Sequence, residues 1–384
     1  MTKKVSLILL AVAVATATGF GSAAAADMIK IGFNAPLTGF AASDGKSSSE
    51  GAKLAVEQVN SAGGINGKML ELVIYDDQAK AAQAIPIANK LIGQDEVVLG
   101  VSGSYSGPTR SAAGVFQEAG IPYIAAYAIH PDITRAGNYV FRTSFLGEVQ
   151  GRGGAKLVGE MLGKKRVVVI TLQNDFGKSL AAGFKSKASD YGIDIVNEYQ
   201  YSIKDRQFGS IVAKVKADQP DAIYASGYYF TAGPLVSQLR AAGVSVPIIG
   251  QEGYDSQKFI EIAGAAAEGI IITTSLDRDS DVPETKNFIS AFESKAGFKA
   301  DMVAASAHTA ILVAADALKR AGSTDPEAIR KAIAATNLKV STGTISFNSL
   351  GEVMKAVQNQ VVKNGNWHHH SVIDDPALLA PPDK

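Results

Sequence analysis

The chain has 384 residues, with 37 basic and 37 acidic side chains and no cysteine. A balanced charge argues against a nucleic-acid binder, which carries a basic excess. The missing cysteines exclude a disulfide scaffold, zinc–cysteine and iron–sulfur sites, thiol catalysis and a lipid-modified N-terminal cysteine. A hydrophobic fraction of 46% is that of a globular protein, and the length suits about two domains.

The first segment reads as an address. Lys3 and Lys4 precede an apolar run over 5–17 and a small-residue exit at Ser22-Ala23-Ala24-Ala25-Ala26. These are the three parts of a secretory signal peptide, expected to be cut after Ala26. No later run reads as a membrane span, so an exported, soluble, periplasmic protein is expected.

Strand-like and helical stretches alternate from there. A strand over 28–33 is followed by a helix over 48–60, which stops at Ala62-Gly63-Gly64. A strand over 69–75 leads to a helix over 79–92, whose continuity Pro86 calls into question. A short apolar strand over 97–101 precedes a helix from Ser106 to about Ala119, and a strand over 121–125 follows.

The middle repeats this order. Strands are expected over 166–170, 193–199, 222–225 and 246–249, with helices over 148–162, 176–190, 208–217 and 231–242. Such alternation predicts parallel sheets with helices on both faces, in two similar α/β halves. No flexible spacer separates the halves. Stretches near 143–147, 273–281 and 347–352 read as crossings between discontinuous domains, and 376–384 as a frayed tail.

Open parallel sheets bind ligands beyond the carboxyl ends of their strands. After the strand at 97–101 comes Ser102-Gly103-Ser104-Tyr105-Ser106-Gly107. Ser106 there either caps its helix or joins the free N–H groups of the first turn, Gly107 among them, in holding a carboxylate. After the strand at 246–249 comes Gln251-Glu252-Gly253; Glu252 either faces water or pairs with a ligand ammonium group. Tyr127, Phe176, Tyr228 and Tyr229 follow other strands and could converge as an apolar wall. Asp175 reads as a helix cap.

Enzyme signatures fail. Gly45-Lys46-Ser47 and Gly177-Lys178-Ser179 resemble the end of a phosphate loop, but Phe40 and Leu172 stand where its leading glycine belongs. The serine loop lacks the spacing of a nucleophile elbow. His368-His369-His370 reads as a solvated patch near a strand end.

In order and spacing, several segments resemble the periplasmic Leu/Ile/Val-binding proteins, the solute receptors of branched-chain amino acid ABC transporters. They are 31–39 (IGFNAPLTG), 51–60 with Gly63-Gly64-Ile65-Asn66-Gly67, Tyr75-Asp76-Asp77, Ala119-Gly120-Ile121-Pro122, 174–180, 240–243, 250–253 and Ala267-Glu268-Gly269. The resemblance spans nearly all of the mature chain.

It implies a type I periplasmic binding protein: two doubly wound parallel-sheet lobes, joined by three crossings, with a ligand cleft between them. The lobes would be 27–145 with 275–348, and 146–274 with 349–375. It implies a monomer without enzyme activity, cofactor or metal, which captures a small amino acid and delivers it to an inner-membrane ABC permease. Ser106 matches the serine that holds the ligand's α-carboxylate, and Glu252 the acid that takes the α-ammonium group. Tyr228 and Phe176 match aromatic contacts, and Tyr127 the segment whose carbonyl accepts from the ammonium.

Two positions depart from the pattern. Ile129 stands where amino-acid binders carry a threonine or serine, leaving only its backbone N–H to donate. Asp44 stands where many members have a tyrosine, so a second carboxylate lies near the cleft. These departures keep open an aromatic or other carboxylic acid or amide as ligand; a sensory receptor subunit is a further alternative.

Overall fold

The computed structural model describes Thr2 and residues 28–383; the leader and its cleavage point at Ala26 lie outside the described residues. Five strands form the first sheet: β1 (Ile29–Ala35), β2 (Leu70–Asp76), β3 (Leu99–Ser102), β4 (Tyr123–Ala125) and β5 (Val140–Arg142). They are all parallel, in the order β2-β1-β3-β4-β5. Between them run α1 (Ala42–Ser61), α2 (Ala81–Gly93) and α3 (Ser106–Glu118).

The second sheet uses the same plan. α4 (Gly147–Lys156) leads into β6 (Arg166–Leu172), α5 (Asp175–Ala188), β7 (Asp194–Tyr201), α6 (Gly209–Asp218), β8 (Ala222–Ala225), α7 (Tyr229–Ala241), β9 (Ile248–Gly250), α8 (Gln257–Ala263) and β10 (Ile271–Thr274). These five strands are parallel in the order β7-β6-β8-β9-β10, which repeats the order of the first sheet.

The chain then returns to the first lobe. α9 (Pro283–Ala296), α10 (Met302–Ala321) and α11 (Pro326–Ala334) follow, with the hairpin β11 (Asn337–Val340) and β12 (Gly343–Ser346). α10 packs along α1 and reaches β3 and β4. A last passage brings β13 (Val357–Lys363) and β14 (Asn366–Ile373) to the second sheet, where β13 pairs antiparallel with β10. The backbone thus passes between lobes three times, as the two-lobed α/β expectation requires.

Several local expectations are corrected. Inner strands β6 and β8 are buried except at Arg166, the first residue of β6, whereas edge strand β7 is largely open to solvent, because one side has no neighbouring strand. Pro86 sits inside an unbroken α2. α10 is 20 residues long and apolar enough by length and composition to span a membrane, yet 83% of that stretch is buried in the protein. Its all-round apolar character fits a core helix wedged between α1 and a sheet.

The tail is not frayed. α12 (Pro376–Leu379) is capped by Asp375 and buries Leu378 and Leu379 against α4. The hairpin β13–β14 was not anticipated, although Asn364-Gly365, both at positive φ, is the turn that joins such strands.

Candidate functional site

The strand order places the site. In each sheet the connections after the first and third strands of the order 2-1-3-4-5 diverge, opening a crevice at the carboxyl ends. Asp44 follows β1 and Tyr105 and Ser106 follow β3; opposite them, Phe176 follows β6, Tyr228 follows β8 and Glu252 follows β9. Asp44, Ser106, Tyr127, Phe176, Tyr228 and Glu252 line one cavity between the lobes. Gly107 lines the adjoining mouth of the cleft. Ile129 is fully buried behind the lining.

Ser106 is not the cap of α3. Tyr105 holds that position, with extended backbone, and Ser106 is the first helical residue. Its Oγ accepts from the Ile129 N–H at 3.3 Å. The Ile129 amide is therefore used within the protein, and the Ser106 hydroxyl proton remains for an acceptor. The N–H groups of Ser106 and Gly107 have no helical partner, as in any first turn, and suit an anion. Asp175 likewise does not cap α5; Asn174 does, accepting from the Gly177 N–H at 2.8 Å. Asp175 instead meets Arg110 of α3 across the cleft at 3.1 Å.

Glu252 opens a single helical turn after β9 and is 2% exposed. Neither carboxylate oxygen has a hydrogen-bond partner among the described residues. Burial raises its pKa to about 8; buried Lys355 and Arg142 pull the other way, and Asp255 adds to the rise. Gly253 is required beside it: a Cβ there would stand 2.2 Å from the Gly227 carbonyl oxygen.

Lys355 is itself held down to about 8 by burial, which Glu252 opposes. It donates to the Thr143 carbonyl at 3.1 Å and lies over the Phe145 ring.

Aromatic rings make the wall. Tyr105 stacks on Tyr228 with centroids 4.1 Å apart, and Tyr228 on Phe176 at 4.7 Å. Tyr127 meets Tyr105 edge-on and donates to the Gly103 carbonyl at 2.7 Å. The Tyr229 hydroxyl donates to the Phe40 carbonyl at 3.1 Å, and Phe40 meets Phe230 edge-on. These contacts, with Arg110–Asp175, draw the two lobes together.

Asp44 is 4% exposed and accepts from the Tyr105 hydroxyl at 2.7 Å. Burial pushes its pKa up to about 8, which the Tyr105 hydrogen bond opposes and nearby Asp301 and Asp255 reinforce.

Behind the site, Arg142 of β5 forms a buried two-pronged pair with Glu352, at 2.9 and 3.0 Å. It also donates to the carbonyls of Ala128 and His130. The loop carrying Tyr127 is thus tied to the third crossing.

Tyr105, Met302, Val303 and Lys355 were missed from sequence. Tyr105 follows a strand directly, as the other aromatics do, and that signal was available. Met302 and Val303 reach the cavity only through the long return of α10.

The histidine run lies within β14, and His368 and His369 face Asp279 and Asp277 at 3.2 and 2.9 Å. Among the described residues no cluster of three or more histidine, cysteine or acidic side chains could hold a metal.

Comparison with known proteins shows the family. Residues 28–365 match the family described as periplasmic binding protein. The leucine-, isoleucine-, valine-, threonine- and alanine-binding protein of Pseudomonas aeruginosa is 32% identical over 330 residues, 86% of this chain and 88% of that one. The branched-chain amino acid transporter substrate-binding protein LivJ of Streptococcus pneumoniae, solved with isoleucine, is 30% identical. It superimposes with a TM-score of 0.85 over 90% of this chain and 99% of its own. The leucine-binding protein LivK of Thermotoga maritima is 28% identical, with a TM-score of 0.84 over 91% and 99%. The chain belongs to the periplasmic binding protein family, in its Leu/Ile/Val-binding branch.

Proposed function

We propose that this chain captures an amino acid of about the size of leucine, isoleucine or valine and delivers it to the inner-membrane permease of an ABC importer. It acts as a monomer in the periplasm, exported by the leader cut after Ala26, and carries out no chemistry on its ligand. The ligand lies between lobes 27–145 with 275–348 and 146–274 with 349–375.

One observation carries this reading. A buried glutamate without a hydrogen-bond partner among the described residues, Glu252, shares a cavity with Ser106 and the first turn of α3. An unpaired buried carboxyl is costly, and a ligand ammonium group removes that cost. The first turn of α3, with the Ser106 hydroxyl, takes the carboxylate. Tyr127, Tyr228 and Phe176 exclude water around both, which strengthens each interaction. Gly107 lends an amide at the mouth of the cleft, and Ile129 orients Ser106 through its backbone.

The test is thermal denaturation of mature protein, refolded to remove bound ligand, against amino acids, amides and aromatic acids. A hundredfold excess over the dissociation constant stabilises by about 2.7 kcal/mol. Stabilisation by amino acids supports the reading, and stabilisation by amine-free acids alone refutes it.

A further inference from the structure

The two charged ends of an amino acid account for Glu252 and for the first turn of α3. They leave Asp44, a second buried carboxyl lining the same cavity. One of its oxygens accepts from the Tyr105 hydroxyl, and no basic side chain lies within ion-pair distance of it among the described residues.

The neighbouring acids already have partners. Asp301 accepts from the Ser47 hydroxyl and the Ala304 N–H, and Asp255 accepts from Thr274 and pairs with Arg278. The other titratable groups around Asp44 are the phenols of Tyr127, Tyr228 and Tyr229, none of which bonds to it.

A helix-capping role does not explain Asp44 either. The cap of α1 is Ala41, without a side-chain bond, and Asp44 accepts from no helix N–H. Met302 and Val303 complete the cavity wall, so the surroundings are otherwise apolar or aromatic.

We infer that Asp44 and Tyr105 form a specificity subsite for the ligand's side chain, and that it selects a short side chain bearing a hydrogen-bond donor over a hydrocarbon of the same shape. The inference rests on the amino-acid reading above. A hydroxyl, amide or ammonium group gives the Asp44 carboxyl its second partner. A methyl group there removes water and supplies nothing, which is the costly case for a buried polar atom. A pocket built to hydrogen-bond a polar group rejects its apolar analogue far more strongly than an apolar pocket rejects a polar one. The Tyr105–Tyr228 stack restricts the room, which points to side chains of threonine to asparagine size.

The experiment is calorimetric titration of the refolded mature protein with two near-isosteric pairs, threonine against valine and asparagine against leucine. The donor-bearing member of at least one pair should bind about tenfold tighter or better. Asp44→Leu should bring that pair to within about threefold through loss of the donor-bearing ligand. Asp44→Asn, which keeps the shape of the site, serves if the leucine variant does not fold, and should narrow the gap in the same direction.

Equal binding within both wild-type pairs overturns the inference. So does an equal loss for both members in the variants, because that would assign Asp44 to the shared ammonium end. Failure of every amino acid to bind a protein that still melts cooperatively overturns the amino-acid reading itself, and this inference with it.

Discussion

Tyr105 and Tyr228 lie face to face, their ring planes within 5° of parallel, although they follow strands of different sheets. With Phe176 they form a column of three rings from one lobe to the other. An aromatic pair contributes about 0.5–1.5 kcal/mol beyond its buried area. The column therefore favours approach of the lobes and walls the ligand at the same time.

Removing its middle ring tests this. Tyr228→Ala should weaken ligand binding about fivefold or more and shift scattering toward a more extended molecule at saturating ligand. Tyr228→Phe keeps the stack and should stay close to wild type in both measurements.

Glu252→Gln and Ser106→Ala should each weaken binding at least about tenfold, since each removes a charge-assisted hydrogen bond from a buried site. Calorimetric titration gives the affinities. Unchanged values in both variants would dismiss the two-ended grip.

Binding should release protons. Burial holds Glu252 at about 8, so below that pH it is mostly protonated until an ammonium group arrives. Affinity for an amino acid should climb from pH 6 to about 8 and then level off. Titrations at pH 6.5 in buffers of different ionisation heat measure the release, which Glu252→Gln should lower.

Stability of the ligand-free protein should carry the opposite slope. Asp44 rises from 3.8 to about 8 on folding, so the folded state holds a proton that the unfolded state has lost. That contribution is whole below about pH 4 and disappears as pH rises through about 8. Asp44→Asn removes the titration, so the stability of wild type relative to this variant should decline steadily across the window. Lys355, lowered from 10.5 to about 8, acts in the reverse sense: its contribution is present above about 10.5 and is lost as pH falls through about 8. Denaturant melts from pH 4 to 8 isolate the first effect.

The Arg142–Glu352 pair should be costly to break. Glu352→Gln leaves a buried guanidinium without its counter-charge, and such losses run to about 3–5 kcal/mol. Chemical denaturation would measure it. A change well below 1 kcal/mol would show that Arg142 is satisfied by the Ala128 and His130 carbonyls alone.

Apolar strands such as β6 and β8 were legible because a strand covered on both faces has no polar positions to blur it. Strand ends then located most of the cavity. Burial was not legible. Asp44 and Glu252 read equally well as solvated loop acids, and only tertiary packing takes them out of water. Ser106 reads from sequence either as a cap, which serine favours, or as a carboxylate holder; its hydroxyl is in fact turned to the Ile129 amide across a loop. Lys355 and the Arg142–Glu352 pair join residues some two hundred positions apart, and no local pattern records such a contact.

The placement of β13 beside β10 has a consequence for how the protein is made. The edge of β10 finds its partner only among residues 357–363, close to the end of the chain. Until these have been synthesised, the second sheet has an unprotected apolar margin, and Asn348 and Ser349 lack the tail segment that they bond near Pro382 and Asp383. The second lobe is incomplete in any fragment that ends before β13. A chain stalled before that point therefore stays short of its final packing and offers its bare strand edge to proteases and to its own kind.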